Sequence, residues 1–512
     1  MSVFLVNLIR DSTEDLRFQH ECLALGYLTA ALEAVEIPVQ YVDRQLYSIS
    51  EEEIIQQILE QAPILVGITA NVQETFPYVV QFIHELRSCG YKNHITVGGV
   101  FATIEVERIL REFKEIDSVS VGEGETIIVN LYKALESNSD LTEVKGVAVR
   151  KDGRINKYDF VVNEKIDRIH MPARRDVPRL LELGRRVCLI ASRGCIGNCV
   201  FCSSQSIKRM GMCRRQRSPE NVIEEMLSLF HEFHVTRIKF NDPVFIAPGR
   251  KGEEWGKIFC KRLSEISEYK PDFVVNLRSR ECINKNLMQQ LAQAGMSKVV
   301  LGIESGSDSI LKWMHKPTTV ALNNEAMSVL KGLGIKVEVC FIFFVPVMTL
   351  DDVIKNINFL RLHNELYPFQ LTSVLEVYCG SEVLKILENS KNYRKQKWWD
   401  LGSFIFFNPS MELFWEKIQP VLNDYNTVIN EIYILDVMVQ KNKKEHKNKE
   451  LEKLLDELSA ETGEYIAESY IELIELIRKE EKGEAVDCSS FYQRHFELAK
   501  LQCQRIRQVS NN

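Results

Sequence analysis

The sequence predicts an α/β protein in three parts: an N-terminal doubly wound parallel sheet of the Rossmann type, a partial (β/α)6 barrel of the TIM type, and a mostly helical C-terminal domain. Three observations predict it. Short apolar runs alternate with amphipathic stretches through residues 1–135, a pattern that builds a parallel sheet with helices on both faces. A second strand–helix series begins near residue 186 and repeats at intervals of about 25 to 40 residues. Residues 412–512 then keep helical periodicity almost throughout. A chain of 512 residues is also too long for one core.

The elements follow in order. SVFLVNL is the first strand, and CLALGYLTAALEAV (22–35) a helix with Gly26 and alanines at close-packing positions. VQYVD (39–43), ILVGITA (64–70), HITVGGV (94–100) and SVSVGEGE (118–125) are the next strands, with helices between them. Doubly wound sheets bind ligands at the carboxyl ends of their strands. Small residues collect there: Thr69, Ala70 and Asn71, then Gly98, Gly99 and Val100, then Gly122, Glu123, Gly124 and Glu125. GVAVRKDGRINKYDF reads as a hairpin turning at Asp152-Gly153, and MPARRDVP as linker. VCLIAS, RIKFND, FVVNLRS, KVVLGIES, VEVCFIFFV and LTSVLEVYCG are six further strands, short of the eight of a closed barrel. The expected divisions are 1–140, a linker 141–185, 186–385 and 386–512. The Lys-rich run QKNKKEHKNKELEK reads as a solvated helix face or loop. Trp398, Trp399, Phe404, Phe406 and Phe407 read as packing of the helical domain, with an active-site cap as the alternative.

Composition narrows the function. With 45% apolar and 26% charged residues the chain is globular, and a net charge of −7 gives no reason to expect nucleic acid. No run reaches the roughly 18 apolar residues of a membrane span. The apolar opening segment has no basic leader, so it reads as a buried strand and not a signal peptide. The 13 cysteines are odd in number and mostly scattered, which argues for a reducing, cytoplasmic setting.

Three of them are not scattered. ASRGCIGNCVFCSS (191–204) sets Cys195, Cys199 and Cys202 in a C-x3-C-x2-C spacing just after a strand. Thiolates suit iron–sulfur clusters, zinc and copper. Gly194 and Gly197 let the loop wrap a cluster and turn amides to its sulfurs, and Val200 and Phe201 add an apolar cover. A cubane takes four thiolates, so three leave one iron open for a small ligand. A structural zinc site needs four ligands, usually in paired knuckles, and Cys213 is the one nearby candidate for a fourth thiolate. Asp242, Arg278 and Glu304 fall at strand ends, where they face a site or form salt bridges at the barrel mouth.

With that loop the sequence resembles the radical S-adenosylmethionine (SAM) enzymes, whose motif has an aromatic residue before the third cysteine. Cys195, Cys199, Phe201 and Cys202 match it. The resemblance implies a [4Fe–4S] cluster, SAM on the open iron, and reductive cleavage of SAM to a 5′-deoxyadenosyl radical. An external donor of the flavodoxin or ferredoxin type would supply the electron. RRQRSPENVIEEM, RIKFNDPVF, NLRSR, VVLGIESGSDSILKWMHKPTT and FIFFVPVMTLDD resemble the successive motifs of a cobalamin-binding subgroup. They imply SAM contacts for Phe201, Asp242, Arg278, Glu304 and Ser305. Two positions depart from the pattern: Asn241 replaces the first of two acids, and Val347 the glycine of a Pro-Gly pair.

VGGVFAT and VGEGE resemble that subgroup's N-terminal cobalamin domain, which makes the ten strand-end residues named above, Thr69 to Glu125, the implied cobalamin contacts. RDSTEDLRFQHECLALG lacks the D-x-H-x-x-G that supplies a cobalt ligand elsewhere. Members of that subgroup commonly lack this histidine, so the resemblance implies cobalt without a protein nitrogen ligand; a ligand role for His20, the one histidine there, and a scaffold domain without cobalamin are the alternatives. The resemblance implies an enzyme that methylates an unactivated carbon or phosphorus of an organic substrate the sequence does not name. Ring contraction, cyclisation or oxidation is the alternative, and a cofactor-binding sensor a third. No catalytic side chain beyond the cofactor contacts is identified.

Overall fold

The computed structural model describes residues 1–9, 21–441 and 448–510. His20 and the centre of the Lys-rich run lie outside them. The first sheet contains β1 (Val3–Asn7), β2 (Val39–Asp43), β3 (Leu65–Thr69), β4 (His94–Gly98), β5 (Ser118–Ser120), β6 (Val147–Lys151) and β7 (Arg154–Ile155), in the order β2-β1-β3-β4-β5-β6-β7. β1 to β5 are parallel. All five residues of β1 are buried, as a strand covered on both faces must be. The helices Leu23–Glu33 and Gly124–Glu136 cover one face, and those after β2, β3 and β4 cover the other. Strand order reverses between β1 and β3, which opens a crevice outside their carboxyl ends.

The hairpin turns where the sequence places it. Asp152 and Gly153 have φ of 51° and 75°, the pair of positive values a two-residue turn of this type requires. Its first strand, β6, pairs antiparallel with β5. The first sheet therefore extends past residue 140, to β7 and a further parallel bridge between Gly122 and Val161.

β8 (Val187–Leu189) leads into a small hairpin of β9 (Ser192–Arg193) and β10 (Arg215–Gln216) around the cysteine loop. β8 then pairs with β11 (Arg237–Phe240), followed by β12 (Asp272–Leu277), β13 (Met296–Glu304) and β14 (Lys336–Phe341), in a parallel five-stranded sheet. The expected sixth strand is reduced to one parallel bridge, Phe344 to Val374. A side chain stands beside it: the Ser373 hydroxyl accepts from the Phe343 amide at 3.0 Å and has the Gln370 carbonyl at 2.7 Å and the Phe341 carbonyl at 3.0 Å as acceptors for its one proton. The sheet's outer face (Ile238, Phe240, Phe273, Val275, Val299, Leu301) is buried in the main core. Its concave face carries Lys239, Asn276, Lys298, Glu338 and Cys340, all with accessible surface.

Three long helices, Pro409–Lys441, Asn448–Glu481 and Ser489–Ser510, share that core with the barrel. Tyr470 donates to the Leu371 carbonyl at 3.1 Å. Gly463 lies so close to the barrel that a Cβ would sit 1.8 Å from the Leu366 carbonyl oxygen. The aromatic segment divides. Phe404 and Phe406 join this core. Trp398 and Trp399 instead pack on Phe76, Phe101 and Phe113 of the first domain. The Trp398 indole donates to Glu112 at 2.7 Å. That segment straps the barrel's end to the first domain, where the sequence reading had it pack the helical one. Among the described residues no helix is long and apolar enough to cross a membrane.

Candidate active site between the two α/β domains

The cysteine loop is held from outside and open towards its centre. Gly194, with φ of 80°, approaches the second hairpin strand so closely that a Cβ would lie 2.8 Å from the Cys213 carbonyl oxygen. The Val200 amide donates to Met314 O at 3.1 Å, its carbonyl accepts from the Val383 amide at 2.9 Å, and Lys208 caps Ile196 O and Asn198 Oδ1. Inside, the Gly197 amide donates to Cys195 Sγ at 3.3 Å. A Cβ at Gly197 would lie 3.4 Å from Cys195 Sγ and 3.7 Å from Cys199 Sγ, so two thiols converge over a residue with no side chain. Among the described residues no three His, Cys, Asp or Glu side chains are placed to share one metal ion. Three thiols on one short loop suit a cubane, which takes one sulfur per corner and leaves its fourth corner open. Burial pushes the Cys199 thiol up to about 11, opposed by the Lys316 ammonium. Phe201 is half-buried against the core beside the triad.

The predicted strand-end residues fall into two groups. Glu304 and Arg278 stand at the barrel mouth. Glu304 has φ of 66° and pairs with Lys316 at 3.0 Å, with their side chains 11% and 8% exposed. A left-handed conformation at a glutamate costs roughly 1–3 kcal/mol and needs surroundings that enforce it. Here the strand register shifts between Gly302 and Glu304, and Gly302 leaves the space that the pair occupies. Arg278 forks onto Glu281 through Nε at 3.0 Å and Nη2 at 2.5 Å. Asp242 and Ser305 differ. Asp242 has no exposed surface, and its two oxygens accept from the Ala191 amide and the Ser192 hydroxyl. Burial pushes its carboxyl up to about 6. Ser305 is equally buried and bonds Asn356 at 2.8 Å. Both are engaged within the protein, Asp242 with the start of the cysteine loop and Ser305 with Asn356 beside the β13 turn. Asn241, the departure from the motif, is the residue of that pair with a face on the cavity.

A cavity of about 510 Å³ separates the two domains. Thr69, Asn71, Gly98, Gly99, Val100, Gly122, Glu123, Gly124 and Glu125 line it from the first domain. Ala70 does not: it is fully buried and bonds the Gly98 carbonyl through its amide at 2.7 Å. Ile190, Ser192, Arg193, Gly194 and Asn241 line it from the barrel. A slot runs on into the first domain past Leu5, Gly67, Thr96 and Ile128. The walls are mostly carbon and the rim mostly glycine, which suits a broad flat group with a narrow tail. Gly99 has φ of 114°, and a Cβ there would lie 2.3 Å from Asn71 Oδ1, the atom that accepts from the Val100 amide. Asn7 ties the strand ends together, donating to Asp43 at 2.8 Å and accepting from Thr69 at 3.0 Å.

The two sides of the cavity are joined by arginines that the sequence reading passed over. Arg193 and Arg215 face each other across the β9–β10 hairpin. Arg215 grips Glu123 at 2.6 and 3.0 Å, and Arg193 pairs with Glu125 at 2.5 Å while its guanidinium lies 4.8 Å over the Tyr27 ring. The hydrogen-bonding and charge of those arginines hold the Glu123 carboxyl below its usual range against the opposing effect of burial. Behind them Arg174 of the linker bridges Glu21 at 2.9 Å and Glu225 at 2.5 Å. The available signal was the density of arginines on both sides of the cysteine loop.

Three thiols on one loop at the mouth of an open barrel, facing a cavity floored by a doubly wound sheet, define an enzyme class that sets an iron–sulfur cluster beside a second, flat cofactor. Residues 189–360 match the radical SAM superfamily, and residues 10–132 match the B12 binding domain. The chain belongs to the cobalamin-dependent radical SAM enzymes, and its cofactors are a [4Fe–4S] cluster, SAM and cobalamin. It is 28% identical over 344 residues to an uncharacterized methyltransferase of Pyrococcus horikoshii, covering 66% of this chain and 72% of that one. It is 29% identical over 342 residues to the anaerobic magnesium-protoporphyrin IX monomethyl ester cyclase of Cereibacter sphaeroides, covering 62% of this chain and about half, 52%, of the cyclase. The fold matches the cobalamin-dependent SAM radical enzyme OxsB, solved with aqua-cobalamin, with a TM-score of 0.78 at 19% identity over 99% of this chain and 80% of that one.

Proposed function

We propose that this enzyme methylates an unactivated carbon, or a phosphorus, of an organic substrate held between its two α/β domains. The observation that carries the reading is the shared cavity, lined on one side by residues flanking Cys195 and on the other by the strand-end glycines. Bound there, the cluster with SAM supplies a 5′-deoxyadenosyl radical and cobalamin supplies a methyl group. The chain's own residues position and shield. Cys195, Cys199 and Cys202 hold the cluster, and Phe201 covers it. Glu304, steadied by Lys316, and Arg278 face SAM, while Asp242 and Ser305 fix the loops that carry it. Thr69, Asn71, Gly98, Gly99, Val100, Gly122 and Gly124 let backbone approach the corrin, and Glu123 and Glu125 fasten that rim to the cluster loop. The carbon-lined wall keeps water from the radical. An external low-potential carrier supplies the electron, in a cytoplasmic setting.

Similarity to the cyclase favours a second reading, radical chemistry without methyl transfer. The test is anaerobic reconstitution with iron, sulfide and hydroxocobalamin, reduction in the presence of SAM, and mass spectrometry of the products. S-adenosylhomocysteine together with 5′-deoxyadenosine is expected. 5′-Deoxyadenosine alone, with cobalamin bound, would move the assignment to the second reading. Neither product from a protein with a full cluster would overturn both.

A further inference from the structure

Arg214 stands apart from the other arginines of the cavity's barrel side. Arg193, Arg215 and Arg217 each pair with a carboxylate. Arg214 pairs with none. Its Nη2 donates to the carbonyls of Val244 at 2.8 Å and Phe245 at 3.1 Å. Its Nε and Nη1 are buried and have no hydrogen-bond partner. Buried guanidinium donors are seldom left unmet, because arginine has no neutral form to fall back on.

Its position says what the two donors serve. Arg214 enters β10 directly opposite Gly194, where a Cβ would lie 3.3 Å from the Arg214 Cα. Gly194 is the residue before Cys195. The titratable groups that act on the guanidinium electrostatically are Asp242, Cys195, Arg278 and Glu281. Both carboxylates are already taken: Asp242 by Ala191 and Ser192, and Glu281 by Arg278. The cation thus sits on the strand packed against the cluster loop, with two buried donors and no protein anion to meet them. We propose that Arg214 is an anion-holding site beside Cys195, its free donors serving an anionic acceptor brought by the cofactors. That acceptor is either the sulfur edge of the cluster or the carboxylate of SAM. The inference rests on the cluster assignment above.

Arg214→Gln and Arg214→Lys, made in the full chain and reconstituted anaerobically, distinguish the two sources. Iron and sulfide are assayed first. The cluster's midpoint potential is then measured by EPR without SAM, and SAM affinity by the EPR change on titration. Hydrogen bonds to cluster sulfurs raise the potential. If the acceptor is the sulfur edge, Arg214→Gln lowers the SAM-free reduction equilibrium roughly tenfold, about 59 mV for one electron. If it is the carboxylate, the potential holds and SAM binds roughly tenfold more weakly. Arg214→Lys gives an intermediate value in either case. Wild-type potential and wild-type SAM affinity in Arg214→Gln overturn the proposal. Should that variant lose its iron, the same two wild-type values in iron-loaded Arg214→Lys overturn it. A wild-type protein that binds no cluster would sink the assignment beneath it instead.

Discussion

The two sides of the proposed site would hold their cofactors by opposite means. The barrel side, beyond the Arg193–Gly194 wall of the cavity, is rich in functional side chains: three thiols, the Glu304–Lys316 pair and the Arg278–Glu281 fork. The first-domain rim works through their absence, with Gly98, Gly99, Gly122 and Gly124 bringing bare backbone to the cavity. The charges this second rim does carry, Glu123 and Glu125, are turned across to Arg215 and Arg193. Soft-metal ligation needs specific atoms, whereas a broad uncharged macrocycle needs room and shape.

Breaking each rim should therefore fail differently. On the barrel rim, Cys199→Ala should abolish cluster assembly and 5′-deoxyadenosine formation while cobalamin still binds. Full 5′-deoxyadenosine production by that variant would remove the cluster from Cys199. On the other rim, Gly99→Ala should leave the cluster intact and weaken cobalamin binding roughly tenfold or more. The added carbon would meet Asn71 at 2.3 Å, in a backbone conformation that only glycine adopts without strain. Unchanged cobalamin retention after gel filtration would show that the rim tolerates a side chain.

The arginines joining the rims give a smaller and more selective effect. Arg215→Gln leaves Glu123 without its closest cation, and breaking a buried pair costs roughly 3–5 kcal/mol. That loss falls on domain alignment and not on the cluster. S-adenosylhomocysteine formation, which needs both halves in register, should drop roughly tenfold, while 5′-deoxyadenosine formation changes little. Equal losses of both products would make the pair a folding contact only.

How much was legible follows the same division. The cysteine triad could be read because thiolate spacing is itself the chemistry. The parallel sheets could be read because each buried strand is a continuous apolar run. The partners of Asp242 and Ser305 could not be read, because a motif gives a residue's position but not what it bonds: a hydroxyl and an amide engage Asp242, and Asn356 engages Ser305. The sixth barrel strand shrinks to one bridge, Phe344 to Val374, just after the short helix Pro368–Leu371, which local patterning did not separate from a strand. Arg193, Arg215 and Lys316 were in quoted motifs, yet their roles depend on glutamates about 70 to 90 residues distant (Arg193–Glu125, Arg215–Glu123) or on a strained turn (Lys316–Glu304).

The smallest effect tests what the rims share. Asp43, at the end of β2, and Asp242, just past β11, each accept a backbone amide from an earlier segment that runs beside the strand end, Cys22 at 3.0 Å and Ala191 at 2.9 Å. Burial pushes each carboxyl up to about 6 from an ordinary 3.8. A carboxyl raised on folding binds its proton more tightly in the native state. Its contribution to stability is therefore complete below pH 3.8 and lost as pH rises through about 6. The shift corresponds to roughly 3 kcal/mol for each group. Wild-type protein compared with Asp242→Asn should hold its greatest relative advantage in thermal midpoint near pH 4, and that advantage should shrink towards pH 7. Asp43→Asn should do the same for the first domain. An advantage that instead grew with pH would mean that the amide and hydroxyl donors outweigh burial, and that both carboxylates are ionised anchors at neutral pH.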